Sequence, residues 1–273
     1  MNCILHFSDL HFGTPSVPAQ VEALRAIIAR DRFDVIVVSG DLSQRSRAHE
    51  FERARTFIEY AERFAPVMVV PGNHDVAWWT NPMGLGSHQA MYTRYRRFIR
   101  QDLEPVMRLK GITLVGLNSA HGIQPHTITL RPRDLAVVGS LRAEQWAMAA
   151  RVFASAAPDD LKVLVTHHNV VRGRLSNRWG LARRARGLQH AAETGADLVL
   201  CGHDHEERAE QVRAGGRAFV MATASTLTDR VRGGAPSSLN VIHTAHESVT
   251  VSGWEWSEAQ QTFAPARSQR FAR

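Results

Sequence analysis

Short apolar runs rich in β-branched residues recur along this chain, and each one stops at a cluster of polar residues. "CILHF", "DVIVVSG" and "PVMVVPGNHD" are the first three, and their length and composition predict buried strands. Between them, Val21, Leu24 and Ile28 mark one face of a helix, and Phe51, Ala54, Ile58 and Ala61 mark a second. This strand–helix–strand–helix–strand rhythm predicts parallel pairing within an α/β fold. Residues 77–108 interrupt it: a Pro/Gly-containing loop leads into an aromatic, arginine-rich helical stretch, expected as an insertion near the rim of the sheet. Alternation then resumes with "ITLVGLNS", a helix around 142–154, "KVLVTHHN", a helix around 186–194 and "ADLVLCGHDH". Beyond residue 208, "RAFVMAT", "LNVIHTA" and "SVTVSGWEW" predict an antiparallel finish. With no internal repeat or low-complexity linker, residues 1–273 read as a single domain.

Bulk properties narrow the class. A hydrophobic fraction of 44% and a charged fraction of 22% are those of a globular protein. No apolar run approaches the roughly 20 residues of a membrane-spanning helix, and the first residues lack a signal-peptide pattern. Cys3 and Cys201 both lie in apolar runs and predict buried, reduced thiols, as in a cytoplasmic protein. The formal charge of +7 favours anionic partners without identifying one.

The chemistry lies at the strand exits. Asp9 and His11 follow the first strand, Asp41 the second, and Asn73, His74 and Asp75 the third. Later strands end at Asn118, at His167-His168 and at His203-Asp204-His205. In open α/β sheets the loops beyond the carboxyl ends of parallel strands share one rim, where ligands bind. Carboxylates, imidazoles and an amide oxygen converging there suit divalent first-row metals. A shared carboxylate holds two ions roughly 3.5–4 Å apart in two-metal hydrolytic sites. Each fragment is weak alone; the signal is five of them in order, each at a strand exit.

The ordered set Asp9-x-His11, Gly40-Asp41, Gly72-Asn73-His74-Asp75, His167 and Gly202-His203-x-His205 resembles the calcineurin-like metallophosphoesterases, in particular their bacterial cyclic-nucleotide-phosphodiesterase-like members. The resemblance implies two facing mixed β-sheets flanked by helices, a four-layer sandwich. It also implies two metal ions (Mn, Fe, Zn, Co or Ni, with Mn or Fe favoured). Asp9, His11 and His205 would bind one ion, Asn73, His167 and His203 the other, and Asp41 would bridge them. A hydroxide held between the ions would attack phosphorus. His74 would act on the phosphate or leaving-group oxygen as donor or general acid, with Asp75 either supporting it or capping the turn. Where the family pattern commonly has a proline after its histidines, this chain has Asn169, which leaves His167 or His168 open as the ligand; His167 is preferred. Asp204 is expected to point away from the ions.

Several stretches bear on the substrate. His121 on a rim loop and Arg230 and Arg232 in "TLTDRVRGG" are candidate substrate contacts. Trp78, Trp79 and Arg94 in the insertion suit a nucleobase, although Tyr92, Tyr95 and Ile99 at helical spacing suit a packed face better. "RGRLSNRWGLARRARG" carries six arginines that attract phosphate or simply face solvent. His6, His49, His88, His126, His190, His243 and His246 carry no signal. The expected function is hydrolysis of a cyclic nucleotide or similar small phosphodiester. The alternatives are a nuclease acting on DNA or RNA ends, a lipid-phosphate or nucleotide-lipid hydrolase, and a metal-binding scaffold.

Overall fold

The computed structural model describes the chain apart from residues 82, 84, 125–126, 128–136, 176, 178–179 and 183. Its described strands form two sheets of six. The first contains β1 (Asn2–Phe7), β2 (Val35–Val38) and β3 (Val67–Val69), together with β10 (Ser238–Ala245), β11 (Ser248–Ser257) and β12 (Thr262–Ala272), in the order β12-β11-β10-β1-β2-β3. The second contains β4 (Val106–Leu109), β5 (Ile112–Leu117), β6 (Leu161–Thr166), β7 (Leu198–Cys201), β8 (Arg208–Ala214) and β9 (Arg217–Thr223), in the order β4-β5-β6-β7-β9-β8. Strands β1-β2-β3 and β5-β6-β7-β9 pair in parallel, and the remaining pairs are antiparallel. The expected pair of facing mixed sheets is thus observed.

The period-two pattern of the strands builds three apolar layers. Val35 and Val37 of β2, with Val163 and Val165 of β6 and Leu198 and Leu200 of β7, fill the space between the sheets. The alternate residues Ile36 and Val38 pack outward against α1 (Pro18–Arg30) and α2 (Ala48–Ala61). On the other side, Leu164, Val199 and Cys201 pack against α5 (Ala143–Ala154) and α6 (Arg184–Glu193). Helix α1 starts with Pro18, whose missing N–H is no loss in a first turn.

The segment 77–108 contains α3 (His88–Met91) and α4 (Thr93–Phe98), both short. Tyr92 and Tyr95 are fully buried in the outer layer with Ile99, so they form a packed face and not a substrate surface. The segment ends in strand β4, which the sequence pattern passed over. It pairs with β5 through a turn at Lys110-Gly111, where Gly111 has φ +80. Strands β8 and β12 were also missed; both are edge strands with exposed, polar faces and lack the alternation that reveals a half-buried strand. No helix among the described residues is long and apolar enough to cross a membrane.

Candidate metal centre

The carboxyl ends of β1, β2, β3, β6 and β7 meet on one rim. Asp9, His11, Asp41 and Asn73 extend from the first sheet, and His167, His203 and His205 from the second. Asp9, His11 and His205 offer ligand atoms within 4.8 Å of one another, as do Asp9, Asp41 and His167. Asp41 thus stands with His11 on one side and His167 on the other, at 3.7 and 3.3 Å from their Nε2 atoms. Asn73 Oδ1 lies 3.1 Å from both His167 Nε2 and His203 Nδ1.

The donor set fits cations. His167 Nδ1 donates to the Ser39 carbonyl at 2.8 Å, which leaves Nε2 as the atom facing the Asp41 carboxylate. His205 Nδ1 donates to the Arg230 carbonyl at 2.9 Å. Its Nε2 therefore faces Asp9 Oδ1 at 3.1 Å and His11 Nε2 at 3.3 Å. Backbone carbonyls that fix the far ring nitrogen are the usual support of metal-binding histidines. Asp9 Oδ1 is buried and accepts no hydrogen bond, an arrangement costly for a carboxylate unless a positive group lies beside it. Burial raises both carboxyls, yet the imidazoles hold them below the usual range, His205 foremost for Asp9 and His167 for Asp41. Burial lowers His167 in turn, but the Asp41 carboxylate more than offsets this and drives it up to about 9. A cation satisfies both carboxylates and leaves the imidazole lone pairs free to bind it.

The backbone is bent to make this possible. Asp9, His11, Asp41, His203 and His205 all have positive φ, between 42 and 71°, a region that few non-glycine residues occupy and that costs free energy where it is used. Gly72 and Gly202 give the loops room: a Cβ on Gly72 would lie 2.1 Å from Asp41 Oδ1, and one on Gly202 would lie 2.5 Å from Asp9 Oδ2.

His168 and Asp204 turn elsewhere. His168 Nδ1 meets Ser119 Oγ at 2.8 Å, although the ring also lies near His167 and His203 in a further triad of potential ligand atoms. Asp204 accepts a hydrogen bond from the Asn169 side-chain amide. The residue at the family's proline position therefore ties the two histidine loops together. Asn118 accepts from the Ala120 N–H and closes a local turn.

His74 sits beside the cluster, its ring 4.8 Å from that of His11. Its N–H donates to Asp41 Oδ1 at 2.8 Å and its Nδ1 donates to the Gln44 carbonyl at 2.7 Å, so Nε2 is the atom left for other chemistry. Two cavities flank it. One of about 330 Å³ is lined by His11, Asp41, His203 and His205 together with Arg230 and Arg232. The other, of about 570 Å³, extends from Asn73 and His74 toward Trp78 and Trp79.

Two expectations are corrected. Asp75 does not hold the His74 ring: its carboxylate accepts from the N–H groups of Leu42, Ser43 and Gly72 and from Ser43 Oγ. It clasps the loops after β2 and β3, and the Gly72 contact is the capping expected as the alternative. Burial, then the nearby Asp41, raises this carboxyl to about 6. His121 lines neither cavity; it is 6% exposed beneath the insertion, with Nδ1 at 3.0 Å from the Tyr92 hydroxyl. In the basic stretch after β6, Arg174 pairs with Glu210 at 3.3 Å and Arg172 donates to the Asn177 carbonyl. Arg178, Arg183 and His126 fall outside the described residues.

The residues missed in the sequence include the carbonyl anchors Ser39 and Gln44. Any residue supplies a carbonyl, so no side-chain signal existed for either.

A curated relative, the glycerophosphodiester phosphodiesterase GpdQ of Enterobacter lignolyticus (strain SCF1), is 38% identical over 69 residues. That stretch is 25% of this chain and only 22% of the relative's length. Among solved structures, a purple acid phosphatase, PPD1, from yellow lupin (Lupinus luteus) seeds matches with a TM-score of 0.70 at 13% identity, over 100% of this chain and 54% of that one. Vps29 of Chaetomium thermophilum matches with a TM-score of 0.49 at 11% identity, over 100% of this chain and 97% of that one. The likeness to the lupin phosphatase, at this identity, speaks for fold alone. The model of the family described as calcineurin-like phosphoesterase matches residues 4–207, a span containing all seven converging side chains and His74. The chain belongs to the calcineurin-like phosphoesterase family.

Proposed function

We propose that this protein is a dinuclear metal-dependent phosphodiesterase acting on a small, nucleotide-type diester, cyclic nucleotides among them. The observation that carries the reading is the convergence of two buried carboxylates and four imidazoles from opposite sheets, with His74 beside them and open cavities on both sides. In this reading Asp9, His11 and His205 hold one ion, Asn73, His167 and His203 hold the other, and Asp41 lies between. When bound, the ions supply a nucleophile at neutral pH and Lewis-acid stabilisation of phosphoryl charge. Oxygen and nitrogen donors without thiolate suit Mn, Fe, Zn, Co or Ni, and we favour Mn or Fe.

The side chains do the rest. Nδ1 of His74 is committed to Gln44, which aims Nε2 at the junction of the two cavities, where a proton passes to the departing oxygen. Arg230 and Arg232 face the scissile phosphate across the smaller cavity and offer charge-assisted hydrogen bonds. The named activity of the GpdQ relative favours a diester over a monoester. We also read the chain as a single domain. The unpaired thiols Cys3 and Cys201, raised by burial to about 11 and 12, suit the reducing cytoplasm.

Asn73→Ala and Asp41→Ala test the assignment with bis-p-nitrophenyl phosphate and manganese. Each should lower kcat/KM by about 10²-fold or more while circular dichroism stays native. Undiminished turnover by either variant sinks the metal-site assignment.

A further inference from the structure

The larger cavity beside His74 has a composition that the hydrolytic site does not require. Arg45, Arg47 and Arg94 stand around it, and Trp78 and Trp79 form another part of its wall. Among the described residues none of the three guanidiniums has a carboxylate partner. The Arg94 guanidinium donates, among the described residues, only to the Ser46 carbonyl, at 2.8 Å. The indoles meet edge to face with centroids 6.0 Å apart, and Trp79 is half exposed.

The arginines sit on a rigid support. The buried Glu50 carboxylate accepts the N–H groups of Arg45 and Arg47 at 2.7 and 3.1 Å. Ser46 between them has φ +52, and its N–H reaches Ser43 Oγ. Gln44, whose carbonyl holds the His74 ring, begins this loop. One short loop therefore fixes the proton donor and presents positive charge to the group beyond it.

We propose that this cavity is a leaving-group pocket for a nucleotide bearing a second phosphate. The inference rests on the phosphodiesterase reading and narrows its substrate class. A flat indole surface suits a nucleobase, and uncompensated guanidiniums suit the charge of about −1.5 to −2 on a terminal phosphate. A cavity of about 570 Å³ is in the range that takes a small molecule. A cyclic nucleotide presents one phosphate, which the metal side consumes, and leaves the arginines without a counter-charge. A glycerophosphodiester brings no ring for the tryptophans. A linear dinucleotide with a terminal phosphate satisfies both features, and so does the end of a nucleic-acid strand.

Calorimetry on the manganese-loaded protein tests the pocket without turnover. Adenosine 3′,5′-bisphosphate should bind about tenfold or more tightly than adenosine 5′-monophosphate, one charged contact being worth that much. Arg45→Gln combined with Arg94→Gln should reduce this preference to near unity, and Trp79→Ala should weaken both ligands alike. Turnover supplies the second arm: the ratio of kcat/KM for pApA over ApA should exceed about ten in the wild type and collapse in the arginine double variant. Equal binding of the two adenosine phosphates, or a preference that survives the double variant, overturns the pocket. A protein that binds the bisphosphate as expected but hydrolyses no diester overturns the phosphodiesterase reading instead. Comparison of pApA with a single-stranded 20-mer separates the two sources: a large gain with length identifies a strand, and its absence a free dinucleotide.

Discussion

His74 and His6 show how one residue type is set to opposite tasks by its partners. His74 is anchored at Nδ1 and leaves Nε2 to the cavities, so its assigned role depends on how badly the leaving group needs a proton. His74→Asn should therefore slow an alkyl diester by about 10²–10⁴-fold and slow a p-nitrophenyl diester, whose leaving group departs unprotonated, far less. Equal losses on the two substrates would falsify proton donation. His6 has no free nitrogen. Asn240 Nδ2 donates to its Nδ1 at 3.2 Å, so Nε2–H donates to Ser39 Oγ at 2.9 Å. Burial pushes its pKa down to about 3, against the pull of the Asp9 carboxylate. Below pH 6.5 the unfolded chain takes up a proton that the folded chain refuses, so this residue costs stability as pH falls from about 6.5 toward 3. Urea unfolding of wild type and His6→Gln between pH 7 and 5 should show the wild-type advantage shrinking by up to about 1.4 kcal/mol per pH unit below pH 6. Parallel curves would remove His6 as the cause.

At the scale of elements, the loops after β2 and β3 depend on Asp75. Its two oxygens take four donors, and an amide in its place turns one acceptor into a donor. Asp75→Asn should cost about 1–3 kcal/mol through an unpaired buried N–H, a fall of several degrees in Tm for a chain of this size. Calorimetry that shows an unchanged Tm alongside lost activity would contradict the clasp. This role was hidden in the sequence, because "GNHD" places Asp75 beside a catalytic candidate and gives no sign of the Leu42 and Ser43 amides that claim it. The seven converging side chains were legible for a different reason: each directly follows an apolar run whose end marks the rim. Strands β1, β2, β6 and β7 were equally plain, being buried on both faces. The edge strands β4, β8 and β12 were not, because a partly solvent-facing edge strand needs no continuous apolar pattern. His121 was misplaced because a loop after a rim strand can fold under as easily as over, and the buried Tyr92 that captures it lies 29 residues away in sequence.

For the whole molecule, the distribution of the rim side chains matters more than their number. Each proposed ion would draw ligands from both sheets: Asp9, His11 and Asp41 with His205 for one, and Asp41 and Asn73 with His167 and His203 for the other. The same sheets are otherwise held together by the apolar layer between them. The five rim residues with left-handed backbone, Asp9, His11, Asp41, His203 and His205, lie where the two halves meet. Bound ions would thus cross-link the sheets, and sheets that separate would release them into solution. Unfolding then carries the free metal concentration in its equilibrium. Above saturation, each tenfold rise in free manganese should add about 1.4 kcal/mol per ion. Plotted against the logarithm of metal concentration, the unfolding free energy becomes a counting device: a slope of about 2.8 kcal/mol per decade reports two ions released together, and half that slope reports a single tie between the sheets.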